Sequence, residues 1–274
     1  MAHVGVSSEL VVRAEAAGYT GKTAMTIPPQ AFRHVPHLAG KIVDPETSFY
    51  RITEDTMHKW DVMARQAGNP DDWRIPRAAR EVSRAQAMAG RTDRDLWLFT
   101  YGSLMWDPAI LFDEIRIATL TGFHRAFCLI LKFGRGSFDK PSLMVALDHG
   151  GECHGLAFRI PAKIVGQESE TVWARELIYG DYLPQFVDIS TPQGEVEALT
   201  FTIDPNGERY TPDLSDEETA RKIAEGGGWI GSNLEYLDSL VDHLRTLGLT
   251  DPEIEKLHRR AQAVAQAPAA ARAE

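Results

Sequence analysis

Along the first 45 residues apolar and polar positions follow no sustained period. The prolines of Ile27-Pro28-Pro29 and His34-Val35-Pro36-His37 interrupt what pattern there is, so residues 1–45 read as extended and partly mobile. From 53 to 67 the period becomes helical, with Thr53 placed to cap, Met57, Trp60 and Ala64 on one face, and Asn69-Pro70-Asp71-Asp72 as the stop. A second helix is predicted from Pro76 to Ala89, ending at Gly90. The polar run Arg91-Thr92-Asp93-Arg94-Asp95 then separates two kinds of pattern.

Beyond it the apolar runs shorten and alternate. Leu96-Trp97-Leu98-Phe99 reads as a strand buried on both faces that ends at Tyr101-Gly102-Ser103-Leu104. Further strands are predicted at 114–121, 124–133, 142–148 and 153–160, the last two separated by a turn at His149-Gly150-Gly151-Glu152. Pro161, tolerated in a first helical turn, opens a helix to about Tyr179. Strands at 183–190 and 195–203 flank Thr191-Pro192-Gln193-Gly194, and helices are predicted at 215–225, 232–247 and 251–266. Strands dominate the middle and helices the end, which predicts an α+β fold with a curved or closed sheet carrying helices on its outside. No internal repeat is evident.

Charge changes this picture in one respect. The 274 residues carry 29 basic and 39 acidic side chains, a net charge of −10, which leaves no electrostatic footprint for nucleic acid or an anionic membrane surface and favours small or neutral partners. Residues 1–94 hold 13 basic and 11 acidic side chains, about +2, whereas 95–274 hold 16 and 28, about −12. An anionic small molecule bound by the acidic part must therefore be held by aimed backbone N–H groups and a few arginines. The two cysteines, Cys128 and Cys153, sit in strand-like runs and indicate no disulfide framework. The start has no basic then apolar leader pattern, and no stretch approaches the roughly 18 apolar residues of a membrane span. A reducing cytoplasm is the expected location.

Most motif-like features have a plainer reading. His3, His34 and His37 invite a metal, but a proline separates the last two and no Cys or Glu cluster accompanies them. Gly226-x-Gly228-x-x-Gly231 matches the dinucleotide fingerprint in spacing only, because a helix precedes it where a strand is required; it reads as a linker between helices. Ser103 lies outside any Gly-x-Ser-x-Gly elbow and has no assignable His partner. Adjacent residues of Glu152-Cys153-His154 point to opposite faces of a strand, which argues against zinc, and Cys128 reads as core. Two features survive. The glycine of Tyr101–Leu104 permits successive N–H groups to converge on one spot, a nest that binds a carboxylate, although strand-end turns often contain Gly-Ser for no such reason. Glu176 shares a helical face with Trp173 one turn earlier, and an acid held against apolar surface has a raised pKa useful in proton transfer; an exposed Glu beside Arg175 is the alternative.

From Leu96 to about Leu257 the order of motifs resembles the ChaC-type, glutathione-specific γ-glutamylcyclotransferases. The motifs are Phe99-Thr100-Tyr101-Gly102-Ser103-Leu104-Met105-Trp106, Gly122-Phe123-His124-Arg125-Ala126-Phe127 and Arg135-Gly136. They continue as Cys153-His154-Gly155-Leu156-Ala157-Phe158-Arg159, Trp173-Ala174-Arg175-Glu176-Leu177, Tyr182-Leu183-Pro184 and Gly231-Ser232-Asn233-Leu234-Glu235-Tyr236-Leu237. Two positions depart from the pattern: Pro141-Ser142 replaces a Pro-Gly pair, and Trp229-Ile230 precede Gly231 where Ser is common.

The resemblance implies a closed mixed β-barrel with surrounding helices, no metal, no cofactor, and cleavage of glutathione to 5-oxoproline and cysteinyl-glycine. It implies that Tyr101-Gly102-Ser103-Leu104 binds the γ-glutamyl end and that Glu176 is the catalytic acid/base. Tyr101 is expected to shape the pocket and Arg135 to contact the glycyl end. A γ-glutamyl group carries its own nucleophile, the α-amine, at the right distance to close a five-membered ring on the γ-carbonyl, so a carboxylate base and a carboxylate-binding nest meet the first needs of the reaction. The expected organisation is a partly helical N-terminal extension, 1–94, a catalytic domain, 95–266, and a frayed tail, 267–274. Other γ-glutamyl amines or peptides as substrates, and a non-catalytic γ-glutamyl-binding protein, are the alternatives. A lid, an interaction arm and a structural wrap are all open for 1–94. The sequence assigns no oligomeric state.

Overall fold

The structure, a computed structural model, describes residues 27–267; His3 and the expected tail from 268 lie outside them. Five strands close a barrel: β1 (Leu96–Thr100), β2 (Glu114–Leu131), β3 (Ser142–Ile160), β4 (Tyr182–Thr191) and β5 (Gly194–Ile203). Their order around it is β1-β3-β2-β4-β5, antiparallel except where β1 returns to β5 in parallel, Trp97 opposite Ala198 and Leu98 opposite Leu199. This is the closed mixed barrel expected of the motif order. Every residue of β1 is buried except Trp97, whose half-exposed ring lies under the Arg116 guanidinium. A strand between the barrel interior and outer elements has no wet face, which is why its apolar run is continuous.

Where four strands were expected, the structure has two long ones. Gly122 (φ +90°) interrupts β2 only as a bulge, with the register shifting between Thr121 and Phe123. Gly150 and Gly151, also at positive φ, bend β3 opposite that bulge instead of reversing the chain. The reversal lies at 132–141. A Gly pair in the left-handed region serves a bend as well as a turn, and only the partner strand decides between them.

The helix after Pro161 begins with a short 3₁₀ turn, and its α-helical part, here α3 (Val165–Glu176), stops at Glu176 instead of running to Tyr179. Leu177 leaves helical geometry and Gly180 takes φ +79°, which frees Ile178 and Tyr179 to face a cavity. Three helices follow the barrel: α4 (Asp216–Glu225), α5 (Asn233–Thr246) and α6 (Pro252–Gln266). Capping boxes at Ser215 and Ser232 start the first two. Between them Gly227–Gly228 pairs with Gly231–Ser232, so the Gly226–Gly231 run is an interhelical linker, as the helix before it implied. A Cβ on Gly228 would lie 2.3 Å from Gly134 O, so this ribbon can lie against the β2–β3 loop only as glycine.

Upstream, α1 (Glu54–Gln66) and α2 (Arg77–Ala87) form where the period placed them, with Thr53 Oγ1 accepting from Thr56 N. Residues 27–45 differ from expectation. They form two short 3₁₀ turns opened by Pro29 and Pro36, and Ala31, Val35 and Leu38 are at most 2 % exposed within the main core. Prolines that break a long period are well suited to start tight turns, and apolar residues three and four apart are enough to anchor them. Buried carboxylates fasten the segment. Glu114 receives Arg33, Arg116 and Arg159, and His34 Nε2 lies 3.3 Å from Glu114 Oε1. Glu168 receives both terminal nitrogens of Arg51 at 2.9 and 3.0 Å. Cys128 and Cys153 are buried and unpaired, and burial pushes their thiols up to about 12 and about 11. Among the described residues, no helix is long and apolar enough to cross a membrane.

Candidate active site

The turn after β1 is held from behind. Tyr101 Oη donates to Phe201 O at 2.9 Å, and Arg125, almost wholly buried, donates from Nε to Tyr101 O at 2.6 Å while its other nitrogens hold Asp251 and His154 O. Ser103–Met105 then make one 3₁₀ turn, closed by Met105 N donating to Gly102 O. The N–H groups of Gly102, Ser103 and Leu104 have no acceptor among the described residues, and all three residues line one cavity of about 200 Å³. Gly102 has φ −124°, so no left-handed turn requires it. Space does: a Cβ there would stand 3.1 Å from both Tyr236 Oη and Val145 Cγ1. Gly102→Ala is expected to lower kcat/KM about 10²-fold by displacing the turn, with part of the loss recovered when Tyr236→Phe removes the facing hydroxyl; steady-state rates of the single and double variants check this.

Glu176 is the last residue of α3 and opens into the same cavity, its side chain 14 % exposed. Its carboxylate accepts no hydrogen bond within the described protein; the nearest cation, Arg175 Nε, is 3.5 Å from Oε1. Burial raises the pKa of Glu176 above the ordinary carboxylate value, and the Arg175 charge offsets part of that. Tyr101, Tyr182 and Tyr236 share the cavity, and burial together with the Glu176 charge raises their phenols. Trp173, on the same helical face by spacing, is fully buried, packs edge-on against Phe201 and donates to Ser83 Oγ. Trp173 does not line the cavity, whereas Tyr101, Tyr182 and Tyr236 line it together with Glu176.

Arg135 also lines the cavity, with Nη1 donating to Ser232 O at 3.1 Å and its guanidinium 5.4 Å from the centre of the Tyr236 ring. The structure thus brings together Tyr101, Gly102, Ser103, Leu104, Arg135 and Glu176. Of the two departures from the motif pattern, Ser142 is fully buried between Gly136 and Gly226 and does not line the cavity, whereas Ile230 does.

Two features escaped the sequence reading. Arg175, quoted only as a neighbour of Glu176, is itself buried: it donates to Ser103 Oγ at 2.8 Å and to Asp107 O, and its guanidinium lies 4.5 Å from the Tyr50 ring centre. It ties the amide-bearing turn to the residue after it on the helix. Tyr50, Ile52, Trp60 and Trp73 also line the cavity from the segment before β1. The apolar face of α1 was visible in the spacing, but nothing in the sequence said what it faced. Among the described residues, no group of three or more His, Cys, Asp or Glu side chains is placed to hold a metal ion.

A closed mixed barrel that sets an unpaired carboxylate and a turn with free amides in one cavity belongs to a known class of fold. A solved yeast γ-glutamyl cyclotransferase specific to glutathione superposes on 62 % of this chain and 96 % of its own, with a TM-score of 0.58 at 19 % identity, a likeness of fold. The ChaC-like protein family model matches residues 96–264, and the chain belongs to that family. The glutathione-specific γ-glutamylcyclotransferase of Escherichia coli K12 is 41 % identical over 180 residues, 65 % of this chain and 78 % of that protein. The glutathione-specific γ-glutamylcyclotransferase 1 of Rattus norvegicus is 31 % identical over 171 residues, 61 % and 76 % of the two chains. The residues that wall the cavity from 50 to 73 lie outside the family match.

Proposed function

We propose that the protein is a γ-glutamylcyclotransferase that cleaves glutathione to 5-oxoproline and cysteinyl-glycine. One observation carries this reading: the unpaired Glu176 carboxylate and the unpaired N–H groups of Gly102, Ser103 and Leu104 open into a single cavity. Those amides hold the γ-glutamyl α-carboxylate, which the −12 charge of residues 95–274 would otherwise repel. Tyr101 fixes the turn, and Arg135 meets the glycyl carboxylate. Glu176 takes a proton from the α-ammonium and the freed amine attacks the γ-carbonyl; Glu176 passes that proton to the departing amide nitrogen, and the second proton, lost from the ring nitrogen as the lactam forms, follows by the same route, so that cysteinyl-glycine leaves as the ammonium. The five-membered ring forms as the γ-amide bond breaks, and holding the chain folded supplies much of the acceleration. No step calls on a metal or a cofactor. Two unpaired cysteines suit the reducing cytoplasm in which such a substrate is abundant in its thiol form.

Incubation of the purified protein with glutathione should release both products in equal amounts. Because the charged form of Glu176 is the base and its pKa is raised, the acid limb of the kcat/KM profile should lie above the ordinary glutamate value of about 4.3. An acid limb at or below that value would show that another group accepts the proton.

A further inference from the structure

The cavity has two unlike kinds of lining. Glu176, the free amides and Arg135 are polar; Ile52, Trp60, Trp73, Phe133, Ile178 and Ile230 are among the apolar residues. Ring contacts join part of that apolar lining into a cluster through Phe49 and Trp229, which lie outside the cavity lining. Tyr50 touches Phe49, Phe49 touches Trp60, and Trp60 meets Trp229 with centroids 5.8 Å apart. Trp229 lies 5.7 Å from Phe133, and Phe133 lies 4.5 Å from Trp73. The segment before β1, the interhelical linker and the β2–β3 loop thus contribute rings to one cluster. Trp229, one of the two residues that depart from the motif pattern, bridges Trp60 and Phe133, and Trp73 meets Phe133 directly.

The cysteinyl-glycine half of glutathione offers little to such a wall. Its amide, thiol and carboxylate need polar partners, whereas the cations lining the cavity are Arg135 and Arg175, and Arg175 is already engaged by Ser103 and Asp107. Water against aromatic and aliphatic walls has few partners and is readily displaced by apolar groups. An apolar group attached to the cysteine sulfur would extend from the middle of the peptide and could pack on this apolar lining while both charged termini keep their contacts. Each buried methylene is worth about a fourfold gain in affinity.

We infer that the segment before β1 makes this cavity a site for S-substituted glutathione, thioethers carrying a bulky apolar group, with Trp60 and Trp73 as specificity-determining residues. The inference rests on the cyclotransferase reading above. The chemistry is unchanged: the α-nitrogen bonds to the γ-carbon, the γ-amide bond breaks, two protons of the α-ammonium end on the leaving nitrogen, and the carbon–sulfur bond is untouched. The products are 5-oxoproline and the S-substituted cysteinyl-glycine.

The test compares S-hexylglutathione with glutathione on the full chain, following 5-oxoproline release and quenching of tryptophan fluorescence. S-hexylglutathione is expected to have the higher kcat/KM, through a lower KM, and to quench fluorescence at lower concentration. Trp60→Leu and Trp73→Leu, which retain apolar bulk, are expected to lower the ratio of the two kcat/KM values about tenfold. Purely structural damage would lower both values together and leave the ratio where it was, which overturns the assignment of these residues. Should a variant fail to fold, the wild-type comparison decides: 5-oxoproline from glutathione with about tenfold less from S-hexylglutathione overturns the inference and leaves the cyclotransferase reading intact. Release from neither compound overturns that reading and this inference with it.

Discussion

Glu176→Gln is expected to lower kcat by about 10²- to 10⁴-fold, the usual range for removing a positioned general acid/base, while making the folded protein more stable at neutral pH. The two effects have one cause. Burial raises the pKa of this carboxyl in the folded state. Between the unfolded and folded pKa values the native state therefore binds more protons than the unfolded chain, and stability falls as pH rises through that window. Gln has the same shape and no charge, so it does not lose that stability. The difference in Tm between variant and wild type should be small in acid, grow as pH rises through the window, and stay constant above it. A variant that loses activity and also unfolds more easily at pH 7 would mark Glu176 as a structural partner of Arg175.

Arg51→Leu is expected to destabilise the protein by about 3–5 kcal/mol, because it leaves the fully buried Glu168 carboxylate without its counter-charge. The remaining contact, Leu111 N donating to Glu168 Oε2 at 3.0 Å, satisfies one oxygen only. Arg51 Nη1 also donates at 2.7 Å to Ala109 O, and Ala109 alone among the described non-glycine residues has positive φ, at 56°. The guanidinium thus holds a strained backbone as well as a charge. For a protein of this size the loss corresponds to a fall in Tm of about 10 °C. Glu168→Gln added to Arg51→Leu should recover part of it, since the buried charge is then gone. Thermal unfolding of the single and double variants checks this, and additive losses would show that the two groups do not act as a pair.

Periodicity located most elements because helices and strands there have one dry face and one wet one. The closed barrel itself came from the order of motifs, since strand alternation does not distinguish an open sheet from a closed one. Gly122 and the Gly150-Gly151 pair misled for a related reason: a chain reversal and a bulge use the same residue type, and the difference lies in the strand opposite. Residues 27–45 show no period because their anchors, Ala31, Val35 and Leu38, are too few to make one, yet these sit at 0–2 % exposure. At the site, Glu176 and the Tyr101–Leu104 turn could be read because each carries its chemistry in a short motif. Arg175 could not, since an arginine beside a glutamate on a helix is ordinarily a surface pair. The cavity wall supplied by Tyr50, Ile52, Trp60 and Trp73 depends on how a distant segment folds back, which local patterns do not encode.

The Arg175 guanidinium lies 4.5 Å from the Tyr50 ring centre and, through Nε, 3.5 Å from Glu176 Oε1. An occupant of this cavity that removes water from Glu176 or changes its separation from Arg175 alters the proton affinity of the carboxyl. Equilibrium linkage then works in both directions: occupancy shifts the titration of Glu176, and protonation of Glu176 shifts occupancy by the same factor. For such an occupant affinity varies with pH even where the bound substituent carries no ionisable group.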